Sequence, residues 1–232
     1  MVERYRAMLN FISSVTRNEC TEAINVILDT LATATDMHVL SEMYEITLLA
    51  LKESNNERLW FNTNLKLAKV YLEEQKLQEV ERLISALKAT CQNPDGSDDL
   101  SKGTLLLEIY CLEIQLCAAT GNMARMKRIY PKTLNLNAAV ADPRIMGIIR
   151  EEGGKMQMAE GNWDDAYNEL YESFRNYQEV TSISCTYYIY YTRMEVFIDN
   201  ALTTSCSLGR ECSSSRSAQV CRRGLHAYRR WD

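Results

Sequence analysis

The chain has 232 residues, a net charge of −5 and 46% hydrophobic residues. That is enough apolar material for a core, and the acidic balance argues against a general nucleic-acid binder, which carries a basic excess. The opening residues Met1-Val2-Glu3-Arg4-Tyr5 put charges where a signal peptide needs an apolar run, and no run of about eighteen apolar residues is evident, so the sequence predicts neither a secretory signal nor a membrane span.

Taken in order, the chain reads as helices. Residues 2–13 carry Tyr5, Met8, Leu9 and Ile12 on one face, and a pattern that starts without a cap suggests a truncated beginning. Thr16-Arg17-Asn18 reads as a turn. A helix over 21–34 follows, with Ala23, Ile24, Ile27, Leu28 and Leu31 at helical spacing. Asp36 is placed to cap the next, which bears Val39, Leu40, Met43, Tyr44, Ile46, Thr47 and Leu51. Ser54-Asn55-Asn56 breaks that pattern. Then come helices over 57–74, with Leu59, Trp60, Leu67, Val70 and Tyr71 as core, and over 77–91, with Val80, Leu83, Ile84 and Leu87.

The loop Asn93-Pro94-Asp95-Gly96-Ser97-Asp98-Asp99 invites a calcium reading. An EF-hand needs Gly at loop position six, which would put Cys91 first, the wrong ligand type. A solvated turn running into a helix cap is the better reading. Helices over 102–120 and 122–136 follow, joined at Gly121-Asn122-Met123.

The stretch 142–177 organises the chain. Asp142-Pro143 is a helix start, since Asp caps and Pro suits the first helical position. Ile145, Ile148, Ile149, Met156 and Ala159 form one stripe. Gly161 supplies a left-handed stop, and Asn162 is placed to cap a second helix carrying Trp163, Ala166, Tyr167, Leu170, Tyr171, Phe174 and Tyr177. Trp163 is the expected lock between one repeat and the next. Gly153-Gly154 lacks a phosphate-loop ending and lies inside a helical pattern, where close approach of a neighbouring helix would offset the cost of glycine.

Three helix pairs can be aligned on Leu77, Met123 and Trp163, 46 and 40 residues apart. A helix-pair period near forty marks an α-solenoid, in which each repeat buries its face on its neighbours. The predicted fold is therefore all-α.

No catalytic constellation is present. There are two histidines, His38 and His226, and no HExxH or other paired-His metal motif. The adjacent pairs Glu151-Glu152 and Asp164-Asp165 do not share a helix face, and the latter suits a helix N-terminus. With no signal peptide, and with Cys111 and Cys117 inside a helical stripe, the cysteines read as buried intracellular thiols rather than disulfides.

Residues 181–232 differ from the rest. They hold seven arginines, no lysine, four acids and four of the eight cysteines, whereas 1–180 holds nineteen basic and twenty-seven acidic residues. They fit no repeat and read as a divergent, poorly ordered tail, a replaced terminus. Cys206, Cys212, Cys221 and His226 lack the CxxC spacing of a zinc knuckle. A basic RNA-touching end built from Arg222, Arg223, Arg229, Arg230 and Trp231 is a weaker reading.

The segments ERLWFNTNLKLAKVYLEEQKLQEV (57–80), DGSDDLSKGTLLLEIYCLEIQL (95–116) and DPRIMGIIREEGGKMQMAEGNWDDAYNELYESFRNY (142–177), with SVTRN (14–18) and AINVILD (23–29), resemble the subunit 2 family of the COP9 signalosome, a branch of the PCI proteins. The resemblance covers about 1–180. RLWF and the acidic loop leading to KGT distinguish that family from its relative in the proteasome lid, the alternative being a generic adaptor of a lid-like complex. It implies a right-handed solenoid of TPR-like helix pairs leading, in the family, to a winged helix that has no counterpart here. The resemblance implies domains 1–180 (helical repeats) and 181–232 (tail). It also implies a non-catalytic scaffold and docking role, without cofactor or metal, in which the complex removes NEDD8 from cullins by a metalloprotease on another subunit. The implied partners are other signalosome subunits and cullin–RING ligases, with no membrane and no nucleic acid, in cytoplasm and nucleus. The candidate partner contacts are basic side chains for an acidic surface: Lys66 and Lys69 on one helix, and Arg125, Lys127 and Arg128 on another. No inositol polyphosphate contact is carried over.

Overall fold

The computed structural model describes residues 2–11, 15–34, 37–52, 56–136 and 142–180. Among these there are nine α-helices: α1 (Val2–Leu9), α2 (Arg17–Ala34), α3 (Met37–Leu51), α4 (Glu57–Glu73), α5 (Leu77–Thr90), α6 (Gly103–Thr120), α7 (Met123–Asn135), α8 (Pro143–Ala159) and α9 (Trp163–Val180). A single 3-10 turn, Leu100–Lys102, leads into α6. The all-α prediction holds, with one isolated bridge between Gln92 and Asp98 as the only extended pairing among the described residues. The readings placed on 181–232, and the cap expected of Asp36, lie outside the described residues. The chain divides into two compact units, with the boundary between Asn122 and Met123, inside the second predicted helix pair.

In the first unit, each helix packs mainly on its sequence neighbours: α3 on α1, α2 and α4, then α4 on α5, and α5 on α6. The helix starts follow capping chemistry. Thr16 Oγ1 donates to Glu19 Oε2 at 2.6 Å, and Cys20 N donates to Thr16 O, so α2 begins at Arg17 and not at residue 21. Thr16-x-x-Glu19 is the capping-box spacing, a start signal that the reading of Thr16-Arg17-Asn18 as a turn passed over. Asn56 ends the break after α3 by accepting from Leu59 N at 3.3 Å, while its Nδ2 donates to Thr21 Oγ1 at 3.1 Å and ties α4 to α2. Tyr5 on α1 and Thr47 on α3 share a buried hydroxyl pair at 2.7 Å.

The centre of this unit is α6. Leu106, Leu107, Ile109, Tyr110, Leu112, Ile114, Leu116 and Cys117 are all buried, on more than one face, and Gly121 closes the helix at φ 68°. No unbroken apolar run is present, since Glu108 and Glu113 interrupt it, but by length and composition alone this helix could cross a membrane: an 18-residue window within Leu100–Thr120 has a mean hydropathy of 1.3. More than half of that stretch is buried by neighbouring helices. A helix covered on several sides is apolar all round for the same reason as a membrane span. The charge inside it is answered locally: Glu113, 2% exposed, pairs with Lys88 of α5, whose ammonium also lies 5.2 Å from the Tyr110 ring.

The 92–102 connection is the solvated, capped turn expected. Asp95 accepts from Ser97 N and Oγ at 3.0 and 2.6 Å, Gly96 takes φ 80°, and Asp99 accepts from Ser101 N at 3.0 Å to start the 3-10 turn. Tyr110 donates its hydroxyl to Asp98, anchoring the loop to α6.

In the second unit α8 and α9 form an intimate antiparallel pair. Asp142 caps α8 as predicted, accepting from Arg144 N at 2.9 Å, with Pro143 at the first helical position. Gly161 turns the chain at φ 79°, and Asn162 donates its side-chain amide back to Gln157. The predicted stripe of α8 is corrected. Ile149 and Met156 are buried, but Ala159 is exposed, and the deeply packed positions include Gly147, Glu151, Gly153 and Gly154. A Cβ on Gly147 would lie 2.8 Å from the Tyr177 ring, and one on Gly154 would lie 2.7 Å from Leu170 Cγ. Glycine is used here because two helices approach closer than a side chain permits, as the sequence suggested for 153 and 154. Ser173 Oγ donates to Gly147 O at 2.8 Å across the same contact. On α9, Ala166, Leu170 and Ser173 are buried, whereas Trp163 is only half-buried and Tyr171 is 48% exposed. The expected aromatic core is therefore a flank, where Tyr167 and Tyr171 stack with centroids 6.3 Å apart. Trp60 of α4 is likewise half-buried, and Phe61 and Leu65 take core places not assigned to them from sequence.

Candidate interaction surface

The basic side chains proposed for partner contact fall into three environments. Lys66 is part of the internal framework. Its Nζ lies 2.5 Å from Asp29 Oδ1 and 3.4 Å from Asn25 Oδ1, so it joins α4 to α2. Lys69, one turn on, is exposed and makes no ion pair among the described residues. The i,i+3 spacing that groups 66 with 69 therefore hides a difference that only the position of α2 decides.

Along α7 the buried side is Met126, Ile129, Tyr130 and Thr133. Lys127 points to one flank and pairs with Glu160 at 2.6 Å, in the turn after α8. Arg125 is half-buried and Arg128 is exposed. Lys132, also exposed, was not singled out from sequence, although it stands four residues after Arg128 and so on the same face.

Among the remaining charges of the second unit, one ion pair joins α8 to α9 and others lie within a single helix. Arg150 Nη1 donates to Glu169 Oε2 at 2.8 Å. Burial raises the pKa of Tyr130 far above the ordinary phenol value, and the nearby Glu169 carboxylate raises it further. Lys155 bridges Glu151 at 2.9 Å and Glu152 at 2.5 Å, and Tyr177 donates to Glu151 at 3.1 Å. Burial alone would lower the Lys155 pKa, but the two carboxylates outweigh it and raise it. Glu151 and Glu152, read as facing apart, are thus gathered by one long lysine. The Arg150–Glu169 pair and the Tyr177–Glu151 hydrogen bond cross between α8 and α9, while the Lys155 pairs lie along α8, so opposite charges neutralise one another locally.

His38 is exposed at the second position of α3. Cys20, Cys91, Cys111 and Cys117 are buried, Cys111 and Cys117 within the helical stripe read from sequence, and burial raises the pKa of Cys20. No group of three His, Cys, Asp or Glu side chains among the described residues is placed to hold a metal ion. The zinc candidates Cys206, Cys212, Cys221 and His226 lie outside the described residues.

No protein-family model matches the chain. Curated relatives do match. It is 46% identical over 187 residues to COP9 signalosome complex subunit 2 of Emericella nidulans, covering 78% of this chain and 37% of that protein. It is 44% identical over 180 residues to the subunit of the same name from Drosophila melanogaster, covering 77% and 40%, and 40% identical over 206 residues to that from Caenorhabditis elegans, covering 86% and 42%. The chain thus spans about two fifths of the length of the curated relatives it matches. Across the matched residues, the chain belongs to the COP9 signalosome complex subunit 2 family.

Proposed function

We propose that the chain is a non-catalytic scaffold and docking segment of a COP9 signalosome, acting in cytoplasm and nucleus, where the helices present a surface to cullin–RING ubiquitin ligases while another subunit removes NEDD8 from the cullin. The observation that carries the reading is the 40–46% identity to subunit 2 proteins over most of the chain. The side chains support it: charges at helix contacts are spent on internal pairs, and those left open, Lys69 and Arg128, face solvent. An open cation favours encounter with an acidic surface and is screened by salt, since the Debye length is about 10 Å at 0.1 M.

The test is expression of the tagged chain in cells of its own organism, followed by native pull-down and gel filtration. Recovery of signalosome subunits or of cullin–RING ligases supports the reading, and recovery of proteasome-lid subunits would replace it with the lid-adaptor alternative.

A further inference from the structure

The helix α7 has the sequence MARMKRIYPKTLN, with four cations and no acid, in a chain whose net charge is −5. Lys127 is taken up by Glu160. Arg125, Arg128 and Lys132 are spaced i, i+3 and i+7, so they line one side of the helix. Arg128 and Lys132 are exposed and make no ion pair among the described residues. Like charges at these spacings repel, and Arg125 in the first turn opposes the helix dipole, although Lys132 in the last turn is favoured by it.

We propose that the Arg125–Arg128–Lys132 side of α7 is a docking face for an acidic peptide segment of a protein partner. This deepens the docking role proposed above and rests on it. It also changes the residues assigned to that role: Lys132 enters, while Lys127 and Lys66 leave because each is already paired within the fold. From Arg125 to Lys132 the helix advances about 10 Å. An extended strand rises about 3.3 Å per residue, so a run of four residues with acidic side chains spans the row. An acidic peptide fits the face better than a nucleic acid, because the basic strip is confined to one helix and Pro131, the exposed uncharged side chain between its cations, offers no aromatic ring for base stacking.

The experiment uses the full chain and a fluorescein-labelled hexaglutamate peptide, read by anisotropy at low and at 0.5 M salt. The face predicts binding that weakens with salt and falls about tenfold or more in the Arg128→Glu/Lys132→Glu variant, since two attractions become repulsions within one screening length. An Arg58→Glu variant, which changes an exposed cation of α4 outside the face, should bind as the parent does. Circular dichroism keeps the result interpretable: the double variant should retain its helicity. The milder Arg128→Gln/Lys132→Gln pair serves if it does not. Undiminished peptide binding by a folded double variant would overturn the proposal, including the case in which the arginines of 181–232 do the binding. So would tighter binding of a hexanucleotide RNA weakened by the same substitutions. Native pull-down of the same variants separates the two readings. Retained signalosome recovery with no peptide effect sinks the docking face alone, and no recovery even by the parent chain sinks the assembly role.

Discussion

Gly153 lies under the ring of Tyr130: a Cβ built on the glycine would stand 2.3 Å from Tyr130 Cε2 and 2.4 Å from Cζ. Tyr130 is 5% exposed and belongs to α7, so this contact couples α7 to the α8–α9 pair. The ring is rigid and cannot fold away as a lysine tip would. Gly153→Ala should therefore destabilise the second unit, with an overpacking cost of about 1–3 kcal/mol outweighing the roughly 1 kcal/mol that alanine gains in helix propensity. Chemical denaturation provides the measurement. Tyr130→Leu in the same chain should recover part of the loss, and a Gly153→Ala protein more stable than the parent would show that the ring moves freely.

The Lys88–Glu113 pair offers a second check. Glu113 is buried on α6, and Lys88 is its cation. Lys88→Met should leave a buried carboxylate without that cation and cost about 3 kcal/mol, the lower end for breaking a buried pair, because the lysine side chain is 25% exposed. Lys88→Met combined with Glu113→Leu should recover much of it. An additive double variant would mean that the two groups act independently.

Trp163 and Leu170 on α9 should rank in the opposite order to their size. Leu170 is 6% exposed against α8, whereas Trp163 is half-buried. Leu170→Ala is expected to cost about 3 kcal/mol and Trp163→Ala nearer 2 kcal/mol, below the loss usual for a fully buried tryptophan. Comparing the two melting temperatures decides the matter, and the reverse order would place the indole in a core.

Alkali should destabilise the protein through its buried tyrosines. Burial, then the nearby charge of Asp29, pushes Tyr44 up to about 12. Tyr71, Tyr110 and Tyr130 are also raised, first by burial and then by the carboxylates of Glu45, Asp98 and Glu169 beside them. A raised folded-state value means that the unfolded chain releases these protons first. The stabilisation is complete below the unfolded phenol value, near 10, and is lost as pH rises toward and through 12. Stability measured between pH 9 and 12 should fall progressively, and Tyr44→Phe should reduce the slope. On the acid side Asp95 and Asp99, both held below the usual carboxylate range by hydrogen bonds from Ser97 and Ser101, should release the 92–102 loop as pH falls through their lowered values. Amide exchange at Ser97 and Ser101 would report that opening.

The sequence by itself determined the helical class, most helix limits, the cap at Asp142, the left-handed stop at Gly161, and the kinship with subunit 2 proteins. These follow from the 3.6-residue period, from capping chemistry between residues two or three apart, and from shared residues, all of which are local or linear properties. Tertiary structure alone decided which apolar side chains are core. A stripe records only that a face is apolar, so Trp163, Tyr171 and Ala159 looked equal to Leu170 and Met156 until α8 and α9 were brought together. The same held for charge. Lys66 and Lys127 have the composition of a docking face, and they lose it to Asp29 and Glu160, carboxylates 37 residues back and 33 ahead, which only the folded chain brings within 2.6 Å. A salt bridge depends on distance in space, and no local pattern in a sequence encodes it.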